Sequence, residues 1–325
     1  MLVQGLAQST GWSGLCKNLG SFFPGEQRGR VMGFWSTCYA FGGLVASPFA
    51  GWWAYTQFHN WQAAFISSAA VVGLMAILFA LFQRNRPEDV GLPAVEPDSV
   101  VRDGSEPVGA PFRDILRNRT VLTLGAAYFL LKPARYAILL WGPVIVYESM
   151  PSVSKVGAAI IPTAFELAGL LGPILIGLAS DKLFGARRVP ACVISLIALT
   201  VSLALFLPAL QTGSAMIVMA LLFVMGLTLY GPDSMICGSA AIDFGTSRAA
   251  GTASGFVNGC GSVGAILGGL LPGYFDTHSV FVIFVGCSLV ACLILVPHWN
   301  SRPASLSPER FVIPNHRLRY KALRV

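Results

Sequence analysis

Charge is what this 325-residue chain has least of: Asp, Glu, Lys and Arg together make up 11 %, under half the share usual in a soluble domain. A water-soluble enzyme is excluded on that ground. Histidine is scarcer still. His59, His278, His298 and His316 all fall outside or at the edges of the apolar runs, so no intramembrane histidine relay is built here. Seven cysteines form no C-x-x-C pair; they read as small buried hydrophobes, neither a disulfide framework nor a metal site. Also missing are H-E-x-x-H, a nucleophile elbow and a P-loop. Neither catalysis, a metal nor a cofactor is expected.

What remains is apolar. Hydrophobic residues are 54 % of the chain and mean hydropathy is +0.67. Continuously apolar runs of about 20 residues suit bilayer-spanning helices rather than alternating barrel strands. Nine are read: 2–23, 31–55, 62–83, 121–147, 156–179, 189–210, 214–238, 250–274 and 279–298. The fold class expected is an all-α, multi-pass membrane protein. Net charge is +7, yet its placement argues topology and against nucleic acid. Arg28, Arg84, Arg113, Arg187, Arg188, Arg248 and the tail bases Arg302 to Arg324 fall on one side of the nine-span arrangement, and Lys155 on the other. By the positive-inside rule the basic side and the C-terminus are cytoplasmic, in a cell (inner or plasma) membrane, with the tail near anionic lipid head groups or free.

The chain also repeats itself. Gly29–Gly51 superimposes on Gly251–Gly273 at a constant offset of 222: Gly29/Gly251, Gly33/Gly255, Phe34/Phe256, Cys38/Cys260, Gly42/Gly264 and Gly51/Gly273 coincide. Paired membrane segments suggest a transporter of two related halves. The organisation expected is an incomplete first half at 1–83, a cytoplasmic linker at 84–120, a complete six-helix half at 121–298 and a basic tail at 299–325. At that offset the partner of Val121 would sit roughly one hundred residues before Met1, so three helices of a twelve-helix carrier are expected to be absent.

Ordered motifs carry a family resemblance. They are Gly5-Leu-Ala-Gln8 with Gly11-Trp12 and Lys17; Gly25-Glu-Gln-Arg-Gly29 before Gly33-Phe-Trp35; Arg86-Pro-Glu-Asp-Val-Gly-Leu-Pro93; and Arg135-Tyr136 with Trp141-Gly-Pro143. After these come Glu166-Leu-Ala-Gly169, Gly177-Leu-Ala-Ser-Asp-Lys182, Tyr230-Gly-Pro232 and Ala249–Phe256. The set resembles the major facilitator superfamily and, within it, the organophosphate:phosphate antiporters that carry glycerol-3-phosphate or hexose phosphates. The resemblance implies a substrate-phosphate arginine at Arg135, a cavity-facing tyrosine at Tyr230, and a conformational loop of Asp181, Lys182, Arg187 and Arg188. Two departures are Tyr39, where the glycerol-3-phosphate carriers have a histidine, and Leu140, where they have an aspartate.

Charges at bilayer depth cost about 2.5–3.5 kcal/mol each and need a reason. Arg135 and Glu166 fall roughly 15–18 Å deep on consecutive antiparallel runs, at ~1.5 Å per residue, and are expected to pair. The pair either binds substrate, with Glu166 releasing Arg135 to the phosphate, or only ties two helices together. Lys132 is one turn before Arg135 on the same face and either adds positive field or snorkels. Pro133 between them is expected to kink the helix. Lys17 and Asp233, near span ends, are read as structural or gating groups. The expected substrate is a phosphate ester exchanged for inorganic phosphate by a monomer. The alternatives are a membrane sugar-phosphate receptor of the same fold and a proton-coupled carrier of another organic anion.

Overall fold

The computed structural model describes residues 2–93, 95, 112–245 and 250–302. The basic tail beyond 302, Arg102 and Arg248 lie outside the described residues. Every regular element described is helical. Three long helices precede the linker: α1 Leu2–Phe22, α2 Gly25–Gly51, extended by a π-type turn at Trp52–Gln57, and α3 Trp61–Phe82. A 3-10 turn at Pro87–Val90 and a short helix α4, Phe112–Arg117, flank the undescribed part of the linker. Then come α5 Arg119–Ser149, the short pieces α6 Lys155–Ile160, α7 Thr163–Ala168 and α8 Gly172–Leu178, and α9 Arg188–Gln211. The last are α10 Ala215–Met235, α11 Ala241–Phe244, α12 Ala250–Tyr274 and α13 Thr277–Leu295.

Seven helical stretches are long and apolar enough to cross a membrane: Trp61–Phe82, Arg119–Ser149, Gly157–Leu183, Arg188–Gln211, Ala215–Phe244, Ala250–Tyr274 and Thr277–His298. The other two expected spans, α1 and α2, are helical and of spanning length but fall outside that set. Gln4, Gln8, Ser9, Thr10 and Lys17 dilute α1, and Glu26, Arg28 and Arg30 dilute the start of α2. Part of this polarity has a structural reason: Ser9 lines the cavity described below, and Arg28 and the Arg30 backbone enter a charge cluster.

The local signals for helix starts are ordinary. Asn60, Asn118, Ser154 and Asp276 each accept a backbone N–H as the N-cap of α3, α5, α6 and α13, which satisfies an otherwise orphaned donor. Asp276, exposed between α12 and α13, also accepts from the Ser279 hydroxyl at 2.7 Å, and these bonds hold its carboxyl below the usual range. Gly213, at φ 66°, provides the left-handed residue that turns α9 into α10.

Two sequence expectations about helix shape are corrected. The run at 156–179 is not one smooth helix but three pieces, interrupted around Pro162 and at Gly169 to Leu171. Proline and clustered glycine there remove donors and stiffness. Conversely α5 continues as helix through both Pro133 and Pro143. The Phe129 carbonyl, which loses its partner because Pro133 has no N–H, is packed against Gly264 of α12, whose missing side chain leaves room for it.

One large apolar core joins α5, α7, α9, α10, α12 and α13, with Leu124, Phe165, Leu196, Leu229, Val257 and Phe284 almost wholly enclosed. A smaller cluster of Cys16, Met32, Ile242 and Ala250 ties α1 and α2 to it. No α3 side chain is buried among the described residues, although the helix packs along α2.

Candidate functional site

The site grows from one face of α5. Tyr128, Lys132, Arg135 and Tyr136 recur at i, i+4, i+7 and i+8, so they project together. Arg135 is 2 % exposed and Lys132 7 %. Facing them, α10 presents Tyr230 and Asp233, with Cys237 of the turn that follows it, again about one turn apart. A π-type turn, Ile236–Ala240, begins just beyond Asp233, and such turns interrupt helices most often at functional sites.

Asp233 is the shared counter-ion. Its Oδ2 accepts from Arg135 Nη1 at 2.5 Å, and its Oδ1 lies 3.0 Å from the Lys132 ammonium. That second contact is close enough for an ion pair but not aligned as a hydrogen bond. Two cations thus share one carboxylate. The Arg135 guanidinium is also sandwiched between aromatic rings, 4.5 Å from the centre of Tyr39 and 4.4 Å from that of Tyr230. Lys132 sits 4.7 Å from the Tyr128 ring and 5.6 Å from Tyr136. Ring quadrupoles hold a cation without neutralising it, so the positive charge stays available to a guest.

The expected Arg135–Glu166 ion pair does not form. Glu166 lies on α7, the short piece between the two interruptions, and its Oε2 accepts instead from the Tyr230 hydroxyl at 2.7 Å. Its Oε1 is buried with no hydrogen-bond partner. Tyr230 therefore stands between the acid and the guanidinium, and Asp233, read from sequence as a gating group, takes the place foreseen for Glu166. Asp233 lies three residues beyond Tyr230 and hence on its face, which is the sequence signal for it.

Arg135 opens onto a cavity of about 680 Å³. Tyr39 of α2 reaches into it, half exposed, and its hydroxyl is 3.5 Å from that of Tyr136. Lys132, Tyr128, Tyr230 and Asp233 also line it, while Leu140 and Glu166 do not. Leu140 is 57 % exposed. Lys17 is exposed as well, lying along Gly251 of α12. Among the described residues no group of three or more His, Cys, Asp or Glu could hold a metal ion.

A second charged cluster lies where the start of α2 meets the start of α9. Arg188, 0 % exposed, donates to Asp243 Oδ2 at 2.7 Å, Ser180 at 3.0 Å and the Gly25 carbonyl at 2.5 Å, and also pairs with Asp181. Arg28 donates to the other Asp243 oxygen at 2.6 Å, and the Arg30 backbone N–H to Asp181 at 2.7 Å. The four loop residues expected to act together separate. Asp181 and Arg188 join this network. Arg187 instead closes its own turn onto the Phe184 carbonyl at 3.0 Å, and Lys182 is exposed. Sequence reading placed Arg28 among the topology-setting bases and did not single out Asp243. A lone acid directly after a buried apolar stretch, Ala240-Ala-Ile-Asp243, was the available clue.

The glycine repeat falls where the segments flanking the linker meet. A Cβ on Gly33 of α2 would strike the Pro173 backbone of α8, and one on Gly29 would strike Asp181 and Arg188. Their repeat partners Gly255 and Gly251 of α12 instead face Ser13 and Lys17 of α1 across ordinary contact distances of 3.5 and 3.4 Å.

Comparison with known proteins agrees with this architecture. The family model described as Major Facilitator Superfamily matches residues 1–268 and 150–319. The chain is 28 % identical over 335 residues to the glucose-6-phosphate exchanger SLC37A2 of Mus musculus, covering 90 % of this chain and 65 % of that protein. It is 27 % identical over 326 residues to a protein of Chlamydia trachomatis named as a probable hexose phosphate transport protein, covering 94 % and 71 %. It is 25 % identical over 321 residues to the glycerol-3-phosphate transporter of Bacillus subtilis, covering 93 % and 70 %. The chain thus spans about two thirds of the length of these relatives.

Proposed function

The chain belongs to the Major Facilitator Superfamily, and from that premise we propose that its cavity binds the phosphate group of an organic phosphate ester in exchange with inorganic phosphate. The observation that carries this reading is the Arg135–Lys132 pair: two buried cations, one carboxylate between them, opening onto a cavity of about 680 Å³. A guanidinium fork suits two oxygens of a phosphate, and an ammonium adds a point charge to a third. The relatives' names point the same way, to glucose-6-phosphate, hexose phosphate and glycerol-3-phosphate.

In this mechanism Asp233 holds the empty site together. An arriving phosphate takes the Nη1 bond of Arg135 that Asp233 now occupies, and Lys132 turns from the carboxylate to the phosphate. Tyr39 and Tyr230 keep the guanidinium plane fixed, so binding needs little reorganisation. Glu166 acts on the arginine through the Tyr230 hydroxyl rather than by direct pairing.

The Arg28–Asp243–Arg188–Asp181 network is the closed gate at the cytoplasmic end. It links α2, before the linker, to α9 and α11, after it. Rocking that opens this end must break the Arg28–Asp243 bond, the Arg188–Gly25 bond and the Asp181–Arg30 bond together. The protein would work as a monomer in a cell membrane, with its basic surfaces inside.

The test is counterflow in phosphate-loaded vesicles bearing the purified chain. External hexose 6-phosphate or glycerol 3-phosphate should draw out labelled phosphate, and Arg135→Gln should abolish it. Labelled phosphate that neither binds the chain nor leaves the vesicles would sink the reading.

A further inference from the structure

The cavity has two chemically different walls, and the phosphate reading uses only one. The cationic wall is α5 and α10. Beside it, packed along α5, α12 contributes Gly255, Asn258, Gly259 and Ser262, which recur at i, i+3, i+4 and i+7 and so form one face. That face is small and polar, without a charge. From α1, Ser13 reaches the same space.

Most hydroxyls around the cavity are already engaged. Ser36 donates to the Met32 carbonyl at 2.6 Å, Ser234 to Gly231 at 2.9 Å and Ser262 to Asn258 at 3.0 Å, each within its own helix. The Asn258 side-chain amide is different: it has no hydrogen-bond partner among the described residues, and neither does the Ser13 hydroxyl. Asn258 is also the residue that stands at the Ser36 position in the 222-residue repeat, so both copies of the repeat put this position on the cavity. One copy has a satisfied hydroxyl there and the other an idle donor–acceptor pair.

Space is the second observation. A cavity of 680 Å³ is in the ~300–1,000 Å³ range of small-molecule sites, far more than a lone phosphate group fills. Gly255 and Gly259 keep the α12 face low: a Cβ at Gly259 would meet nothing within 4 Å. Part of the room not taken by phosphate therefore lies against the Asn258 amide and the Ser13 and Ser262 hydroxyls, beside Trp12, Pro173 and Ala265.

Resting on the phosphate reading of the same site, we propose that Asn258, with Ser13 beside it, is the specificity-determining residue that reads the hydroxyl groups of the ester's organic part. An amide offers two donors and an acceptor, which matches neighbouring sugar hydroxyls that each donate and accept. The ligand class is a polyhydroxylated phosphate ester of hexose size. Asn258 is only partly buried, and an ester with an apolar organic part would strip water from its amide without pairing it, and so is rejected.

Displacement of labelled inorganic phosphate from the purified chain in detergent tests this without requiring transport. Unlabelled phosphate, hexose 6-phosphate and phenyl phosphate are the competitors. The native chain should prefer hexose 6-phosphate to phenyl phosphate by about tenfold or more. Asn258→Leu should erase most of that preference while changing phosphate affinity by less than about twofold. Asn258→Gln, which keeps the amide, should retain part of it, and Ser13→Ala should reduce it less than Asn258→Leu does. Retained phosphate binding reports that each variant is folded. Equal loss for both esters, an unchanged preference in Asn258→Leu, or phenyl phosphate bound as tightly as the sugar ester would overturn the assignment while leaving the phosphate site intact. If labelled phosphate fails to bind the native chain, the phosphate reading itself falls, and this inference with it.

Discussion

Two charge clusters of nearly the same composition sit in this molecule, and they are finished differently. Around Arg188 one guanidinium meets two carboxylates, a hydroxyl and a carbonyl, and Arg28 takes the remaining Asp243 oxygen. Around Arg135 two cations share a single carboxylate, the Arg135 Nε is buried without a partner, and one oxygen of nearby Glu166 is likewise unpaired. Buried polar groups are normally satisfied, and a group that is not calls for a reason. The first cluster balances Arg28 and Arg188 against Asp181 and Asp243, whereas the second sets Arg135 and Lys132 against Asp233 alone and keeps one cation in excess. That contrast in charge balance is what supports the proposed gate and the proposed binding site as different kinds of cluster.

The comparison breaks hardest at Arg188. Arg188→Ala leaves Asp243 and Asp181 buried without their main cation, which costs about 3–5 kcal/mol, and a detergent melt should show the largest fall in midpoint of any variant here. An unchanged midpoint would mean the network holds nothing together. Arg135→Ala should instead lower phosphate affinity about a hundredfold, the value of two charge-assisted bonds, with a smaller fall in melting temperature than Arg188→Ala. The reverse ranking would erase the distinction between the clusters. Asp233→Asn removes the internal competitor, so phosphate should bind about tenfold more tightly while exchange slows because release is harder; weaker binding would show that Asp233 positions the cations instead.

Finer contrasts follow the repeat. Gly33→Ala forces a Cβ onto the Pro173 backbone and should destabilise by about 1–3 kcal/mol. Gly255→Ala meets only Ser13 at 3.5 Å, so its melting midpoint should move much less. Similar shifts would mean the two interfaces are equally tight. Lys182→Ala, at an exposed side chain with no bond to the network, should stay within about 0.5 kcal/mol of the native chain in the same melt.

Much of this was legible in the residues. Apolar length announced nine helical stretches; each is helical over most of its described length, 156–179 in three pieces, and seven are long and apolar enough to cross a membrane. The repeat announced matched glycines: Gly29, Gly33, Gly251 and Gly255 face segments across the linker, while Gly42 and Gly51 meet nothing within 4 Å and Gly264 and Gly273 lie against α5. Arg135 and Lys132, one turn apart, announced a cationic face. What escaped was which acid would meet them. Glu166 and Asp233 both lie on helices near α5, and a depth estimate along an idealised straight helix cannot choose between them. The interruptions at Pro162 and Gly169 to Leu171 shift the azimuth of α7, and Tyr230 intervenes. Arg28 and Asp243 escaped for a related reason: they are 215 residues apart, and no local pattern links them.

The sequence by itself determined that the chain is a bundle of membrane helices with an internal repeat and a buried cationic face. These follow from hydrophobic periodicity and from the cost of placing charge in lipid, both local properties of a helix. Only the tertiary structure decided the partners: Asp233 for Arg135, Tyr230 for Glu166, Asp243 for Arg28 and Arg188. Partner choice depends on how helices rotate and break as they pack, and that is fixed by long-range contacts between side chains far apart in the chain.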